Sequence, residues 1–396
     1  VTKPRVMVLA HYWKATTGFG TQARGLLNRL AACPDVDAVA HVADGRDGKP
    51  FTEDGITVFP ANGRLTNDAL VSIVRGWRAD VLIMLFDAYY HRGIGPMLPG
   101  TAVLRWMPID SEPGTPDLVP AMEGCHTAIA MSEFGLTQLQ RAGIKNSVYI
   151  PHGMEPEYTV LPDQASGRIL RAQLAGEDCT HLTGIVARNY PVIGADPKWL
   201  AGQLRAWTAF AADKPGARLY LHTNMTGTAG EANLFLLCQA LGIHDRVCYP
   251  VDLAGVSTRT MARLYNTFDV LLGASATEGF GLPPVEAQAC GVPIVTTRFA
   301  AMTEHAMWGY AVEPIDVQWC PVVRGWWAWP DGQGITSALQ ALYDAQQSAG
   351  GAWPLEQRLQ VSAQIHKEFG WDRLFDRCWT PLVQNLVNDK AHSYTP

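Results

Sequence analysis

Twenty consecutive residues restrict the fold of this chain more than any other stretch: Ala276-Thr277-Glu278-Gly279-Phe280-Gly281-Leu282-Pro283-Pro284-Val285-Glu286-Ala287-Gln288-Ala289-Cys290-Gly291-Val292-Pro293-Ile294-Val295. An apolar run, Phe268-Asp269-Val270-Leu271-Leu272, precedes them and reads as a buried strand. Gly279-Phe280-Gly281 then makes a turn. Pro283 and Pro284 suit the first positions of a helix, where a missing N–H costs nothing. The helix is predicted from Val285 to Cys290, with Gly291 as its C-terminal cap. Val292 to Thr297 reads as a second strand. Strand, glycine turn, helix and strand make a βαβ unit.

Such a turn carries a definite chemistry. Amides at the start of the helix and along the glycine turn converge on one spot and favour an anion such as phosphate. Glu278 lies in the turn and Glu286 lies inside the helix. Carboxylates do not bind phosphate; they accept hydrogen bonds from hydroxyls, and a bidentate acceptor suits a vicinal diol. Phosphate-binding amides flanked by two hydroxyl-binding carboxylates describe a site for a sugar nucleotide.

The frame E-G-F-G-L-P-P-V-E-A-Q-A-C-G-V-P-I-V resembles the E-x7-E signature of retaining glycosyltransferases of the GT-B fold, in particular the large family 4. The resemblance implies an α/β chain of two Rossmann-like domains facing across a cleft, with a C-terminal helix packing back on the N-terminal domain. The expected division is residues 1–165 for an acceptor domain, 166–370 for a nucleotide-sugar donor domain, and 371–396 for the returning helix. It also implies transfer of a sugar from a nucleotide-diphosphate sugar to a hydroxyl acceptor without metal or other cofactor. The leaving phosphate would take the acceptor proton, so the protein's tasks are positioning and stabilising the diphosphate.

Composition agrees with large packed cores: 396 residues, 47% hydrophobic and 17% charged. No apolar run is long enough to span a membrane. The N-terminus runs straight into a strand and lacks the form of a signal peptide, so a cytoplasmic location is expected. Eight scattered cysteines include no C-x-x-C pair and read as reduced thiols, not as a disulfide frame or zinc site. A formal charge of −6 gives no general attraction to nucleic acid or anionic lipid. No stable nucleic-acid or membrane partner is therefore expected.

In the first domain, Arg5 to Ala10 reads as a buried strand. The loop from His11 ends in Thr17-Gly18-Phe19-Gly20, and a helix is predicted over Thr21 to Ala32. This opening is Rossmann-like, but G-F-G is not G-x-G-x-x-G, and no nicotinamide site is expected. The resemblance makes Gly18 and Gly20 candidates for close contact with the donor diphosphate. Asp35-Val36-Asp37 matches a metal-binding D-x-D but lies past a helix end and reads as a solvated turn. Ala38 to Val42, Ile56 to Phe59, Asp80 to Phe86 and Ala102 to Pro108 read as further strands. Ligands of open α/β sheets bind beyond the carboxyl ends of strands. That rule groups His11, Asp87, Tyr89, Tyr90, Asp110 and Glu112 as acceptor-side candidates. The family often has a histidine where this chain has Asp110, so Asp110 is assigned to orienting an acceptor hydroxyl or touching the donor sugar. Ile150-Pro151-His152-Gly153 resembles the segment that closes the first domain in the family, and His152 joins the acceptor-side candidates.

The second domain opens with Leu182-Thr183-Gly184-Ile185-Val186-Ala187-Arg188. In the family this strand ends in an arginine, and a lysine follows within about half a dozen residues. Arg188 matches, but Tyr190 to Gly194 contains no cation and the first available is Lys198. By the resemblance, Arg188, Lys198 and the amides of Gly279, Phe280, Gly281 and Leu282 face the diphosphate. Glu278 takes sugar hydroxyls and Glu286 the ribose diol; Arg188, Glu278 and Asp110 form the catalytic set. Trp319, Trp326, Trp327 and Trp329 crowd into one stretch and read either as a sugar-stacking platform or, preferred, as a hydrophobic plug under a long loop. The alternatives are a non-catalytic nucleotide-sugar-binding protein, favoured by the displaced lysine, and a GT-B sugar-nucleotide epimerase. The acceptor is open among sugar, lipid, protein and modified nucleobase.

Overall fold

The computed structural model describes residues 3–61, 65–162, 164–189, 196–227, 231–250, 253 and 256–392. The chain forms two compact units. The first comprises Val1–Ile109, Pro113–Gly153 and Glu368–Pro396; the second comprises Asp110–Glu112 and Met154–Lys367. The division thus falls after Gly153, ahead of the expected 165.

The first unit is built on eight strands: β1 (Arg5–His11), β2 (Ala38–Asp44), β3 (Phe51–Glu53), β4 (Ile56–Ala61), β5 (Val81–Leu85), β6 (Ala102–Met107), β7 (Thr127–Ala130) and β8 (Ser147–Tyr149). Their order is β3-β4-β2-β1-β5-β6-β7-β8. All neighbours are parallel except β3 and β4, which form a hairpin. β5 and β6 are buried along their whole length, as strands covered on both faces must be. The order reverses between β1 and β5, and this switch point places His11 and Asp87 at neighbouring carboxyl ends.

The helix after β1 starts at Gly18, not at Thr21 as the sequence suggested, and runs to Ala32. Thr17 explains the difference: its side chain caps the helix by accepting from the Gly20 amide. Gly18 and Gly20 therefore belong to the first helical turn rather than to a loop. A Cβ on Gly20 would stand 2.7 Å from the Ala15 carbonyl oxygen and 2.8 Å from that of Tyr12, so packing of the preceding loop requires glycine there.

The returning segment closes the core of the first unit. Trp371 is 1% exposed and lies between the backbones of Gly25 and Gly153. Trp106 crosses it edge-on at 6.3 Å and meets Trp379 at 5.0 Å. The Arg29 guanidinium covers the Trp371 ring at 5.3 Å.

The second unit carries β9 (His181–Val186), β10 (Ala217–His222), β11 (Val247–Cys248), β12 (Val270–Leu272), β13 (Ile294–Thr297) and β14 (Gly309–Val312). They form one parallel sheet in the order β11-β10-β9-β12-β13-β14. The order reverses between β9 and β12. Trp207, Phe210, Leu219, Leu221, Leu272 and Leu339 are among the side chains of its main core. Each unit is Rossmann-like.

The tryptophan-rich stretch corrects the expectation of a buried plug. It forms an antiparallel hairpin of β15 (Pro314–Cys320) and β16 (Gly325–Pro330). Period-two alternation divides the rings between faces. Trp327 is 2% exposed, whereas Trp319 and Trp326 pair edge-to-face at 5.5 Å and remain 48% and 44% exposed. The Asp-x-Asp residues serve surface contacts: Asp35 accepts from Gln384 and Asp37 faces Arg5 at 3.6 Å. Among the described residues no helix is long and apolar enough to cross a membrane.

Fully buried histidines in both units link the fold to pH. Burial pushes His41 and His305 down to about 4 from the ordinary 6.5. The unfolded chain then binds protons first as pH falls, so stability present above 6.5 is lost between 6.5 and about 4. Each histidine accounts for about 3 kcal/mol at the lower limit. Asp87 and Glu286, both raised by burial, act in the opposite direction. The expected result is a melting temperature that falls steadily from pH 7 to pH 5 in calorimetry. A flat profile would show either that the imidazoles are protonated inside the fold or that the raised carboxyls offset them.

Candidate functional site

The second unit gathers most of the predicted site residues at the carboxyl ends of β9 and β12, the neighbouring strands between which the order reverses. Arg188 follows β9. Beyond β12 the chain turns through Ser275 and Thr277 to Glu278 and then enters the helix Leu282–Ala289. Gly281 is the N-cap residue, with φ +87 in the left-handed region, which favours glycine. Four amides at a helix start lack intrahelical partners. Pro283 and Pro284 have no N–H, so those of Gly281 and Leu282 remain. Phe280 packs its ring on buried His305 at 4.4 Å, which fixes the turn from behind.

The opposite end of this helix is held as firmly. Gly291 has φ +69, and a Cβ there would meet the Arg358 side chain at 2.6 Å. Arg358 donates from Nε to the Gly291 carbonyl at 3.0 Å and from Nη2 to that of Cys290 at 3.1 Å. A cation at a helix C-terminus satisfies orphan carbonyls and complements the macrodipole.

Lys198 meets Glu278. Its ammonium donates to Glu278 Oε1 at 2.5 Å, with 24% and 19% of the two side chains exposed. Ser275 Oγ donates to the same oxygen at 3.0 Å. A built turn delivers the lysine. Asp196 accepts from the amides of Lys198 at 3.1 Å and Leu200 at 2.9 Å. Gln203 donates to the Lys198 carbonyl at 2.6 Å and accepts from the Ala274 amide at 3.1 Å. The Ala276 amide donates to the Pro197 carbonyl at 2.8 Å. The turn is thereby stitched to the loop that carries Glu278. Tyr190 to Gly194, where a family lysine is expected, lies outside the described residues.

Glu286 is enclosed. Tyr265 Oη donates to Glu286 Oε2 at 2.6 Å, and Tyr158 donates a second hydrogen bond to the carboxylate. Burial raises the carboxyl above its ordinary range, and these two hydroxyls draw it partly back. Asp110 enters the same unit through its backbone: its carbonyl accepts from Thr277 Oγ1, one residue before Glu278. Glu112 exchanges backbone hydrogen bonds with Trp326 of the hairpin.

The remaining candidates belong to the first unit. His11 Nδ1 lies 2.9 Å from Thr17 Oγ1, and its ring meets Phe19 and Phe86 edge-on, each at 5.4 Å. Phe86, Tyr90 and Tyr89 step outward in successive contacts of 4.8 Å. Buried Arg105 fixes this loop by donating to the carbonyls of Ala88, Tyr90 and His91. His152 is 4% exposed and packs on Trp106 at 4.8 Å, inside the unit rather than at its surface. Sequence reasoning missed Ser275, Tyr158, Tyr265, His305, Asp196 and Gln203. Asp196 two residues before Lys198 is the one local signal that pointed to a turn there.

Comparison with known proteins bears on the fold and on the segment that carries these residues. Residues 202–309 match the family described as glycosyl transferases group 1, a segment that contains Glu278, the glycine turn and Glu286. The fold is that of GT-B glycosyltransferases. Sucrose-phosphate synthase from Thermosynechococcus elongatus superposes with a TM-score of 0.74 at 15% identity, covering 98% of this chain and 100% of that one. HepE from Anabaena, solved in complex with UDP and glucose, superposes with a TM-score of 0.68 at 15% identity, covering 96% and 100%. Among curated relatives, D-inositol 3-phosphate glycosyltransferase of Mycobacterium marinum is 30% identical over 145 residues, 35% of this chain. The counterpart of Segniliparus rotundus is 27% identical over 169 residues, 42% of this chain. These matches span 30% and 35% of the relatives' own length.

Proposed function

We propose that the protein is a retaining glycosyltransferase of the family 4 type, moving a sugar from a nucleotide-diphosphate sugar to a hydroxyl acceptor without a metal. One observation carries the reading: the Lys198 ammonium lies on Glu278 beside a glycine turn that leaves its helix-start amides available. In this reading Arg188, Lys198 and the amides of Gly279 to Leu282 neutralise the diphosphate as it leaves. Glu278 takes hydroxyls of the donor sugar through the oxygen that Lys198 does not hold, and Glu286 takes the ribose diol. The leaving phosphate accepts the acceptor proton, so stabilising that phosphate is the main catalytic task. The HepE structures in complex with UDP, with UDP and glucose and with UDP-glucose support a uridine nucleotide as the first donor to try.

The test follows nucleotide release from a panel of nucleotide sugars, with and without mixtures of sugar, lipid and peptide acceptors. Release that rises with one acceptor class, and product of unchanged anomeric configuration by NMR, is the expected result. Binding without release for every donor would leave a nucleotide-sugar-binding protein instead, and inverted product would remove the retaining mechanism.

A further inference from the structure

We propose that Tyr265 and Tyr158 are positioning residues for Glu286, and that through it they set a preference for ribonucleotides over 2′-deoxyribonucleotides. The proposal rests on the reading of Glu286 as the ribose-binding group. A carboxylate offers about four acceptor sites. A buried one without oriented partners adopts several rotamers or takes up a proton. Here Tyr265 holds Oε2 at 2.6 Å, and Tyr158 supplies the second hydroxyl.

Neither hydroxyl is free to swing away. The Tyr265 ring is fully buried and meets Tyr158 and Phe268 edge-on, both at 6.0 Å. The Tyr158 carbonyl faces His366 Nε2 at 2.7 Å. The nearby cation, Arg358, spends hydrogen bonds on the carbonyls of Cys290 and Gly291 and on Asn266 Oδ1. Tyrosine differs from arginine or lysine in one useful respect: it orients a carboxylate without neutralising it. The charge stays available to strengthen hydrogen bonds from an incoming diol. A 2′-deoxyribose brings one hydroxyl where ribose brings two, so a correctly aimed Glu286 discriminates between them and a loosely held one does not.

Phenylalanine keeps the ring packing and removes only the hydroxyl. The test is calorimetric binding of UDP, GDP and ADP, each beside its 2′-deoxy form, to the full chain and to Tyr265→Phe, Tyr158→Phe, the double variant and Glu286→Gln. For the nucleotide that binds, Tyr265→Phe should weaken the ribo form about tenfold, the size of one hydrogen bond to a charged group, and the deoxy form less than about twofold. Equal weakening of both forms together with a lowered melting temperature would assign the tyrosines a structural role and overturn the proposal. So would an unchanged ratio in all three tyrosine variants while Glu286→Gln lowers it. If Glu286→Gln also leaves the ratio unchanged, the ribose reading itself is wrong. Absence of binding by any nucleotide would sink the proposed function.

Discussion

Lys198→Ala is expected to lower turnover of the preferred donor by about 10²–10³-fold, the typical cost of losing one electrostatic contact to a developing negative charge. The lysine answers two needs at once. It lies 2.5 Å from Glu278 Oε1, so its removal frees that carboxylate to turn. In the proposed mechanism it also brings the second positive charge, after Arg188, to the leaving diphosphate. Single-turnover release measured for Lys198→Ala and Lys198→Arg separates these roles. Arginine should restore part of the rate if charge is what matters, since it keeps the positive charge on a side chain of similar length. Unchanged turnover in Lys198→Ala would show that the ammonium serves neither the leaving diphosphate nor the aim of Glu278. Donor binding should weaken less than turnover, because the charge acts most strongly on the transition state.

The second large effect concerns stability. Gly153→Ala should destabilise the first unit by about 3 kcal/mol, at the upper end for overpacking, because the obstacle is a rigid ring held on every side. The added Cβ would stand 2.1 Å from Trp371 Cδ2, and one on Gly25 would stand 2.3 Å from Trp371 Nε1. Trp371 cannot retreat: Trp106 and Arg29 cover it. The change should appear as an earlier thermal transition, and Trp371→Leu in the same chain should recover part of the loss. Trp371→Leu alone should also destabilise, through the cavity it leaves. The cycle therefore gives a coupling energy between residues 153 and 371. Additive losses would contradict the close contact.

The βα alternation and two Rossmann-like domains were legible in the sequence because buried parallel strands are short apolar runs and their helices have a different period. The glycine turn, the two prolines and Gly291 were equally legible, since each is dictated by local backbone geometry. The start of the first helix was misread because a capping threonine lies before two glycines that look like a loop. The tryptophan stretch was misread for a related reason. Composition marked it as apolar, but only the hairpin register decided which rings face solvent.

What the sequence by itself determined is a sugar-nucleotide type of turn, Glu278 to Glu286, on a doubly wound α/β frame. Those features depend on residues close together in the chain. Only tertiary structure decided who holds the carboxylates. Lys198 reaches Glu278 from 80 residues earlier in the chain, while Tyr265 and Tyr158 reach Glu286 from other parts of the second unit. Lys198 and Tyr265 are identified by distances of 2.5 and 2.6 Å, lengths over which hydrogen bonds form and which no spacing along the chain encodes.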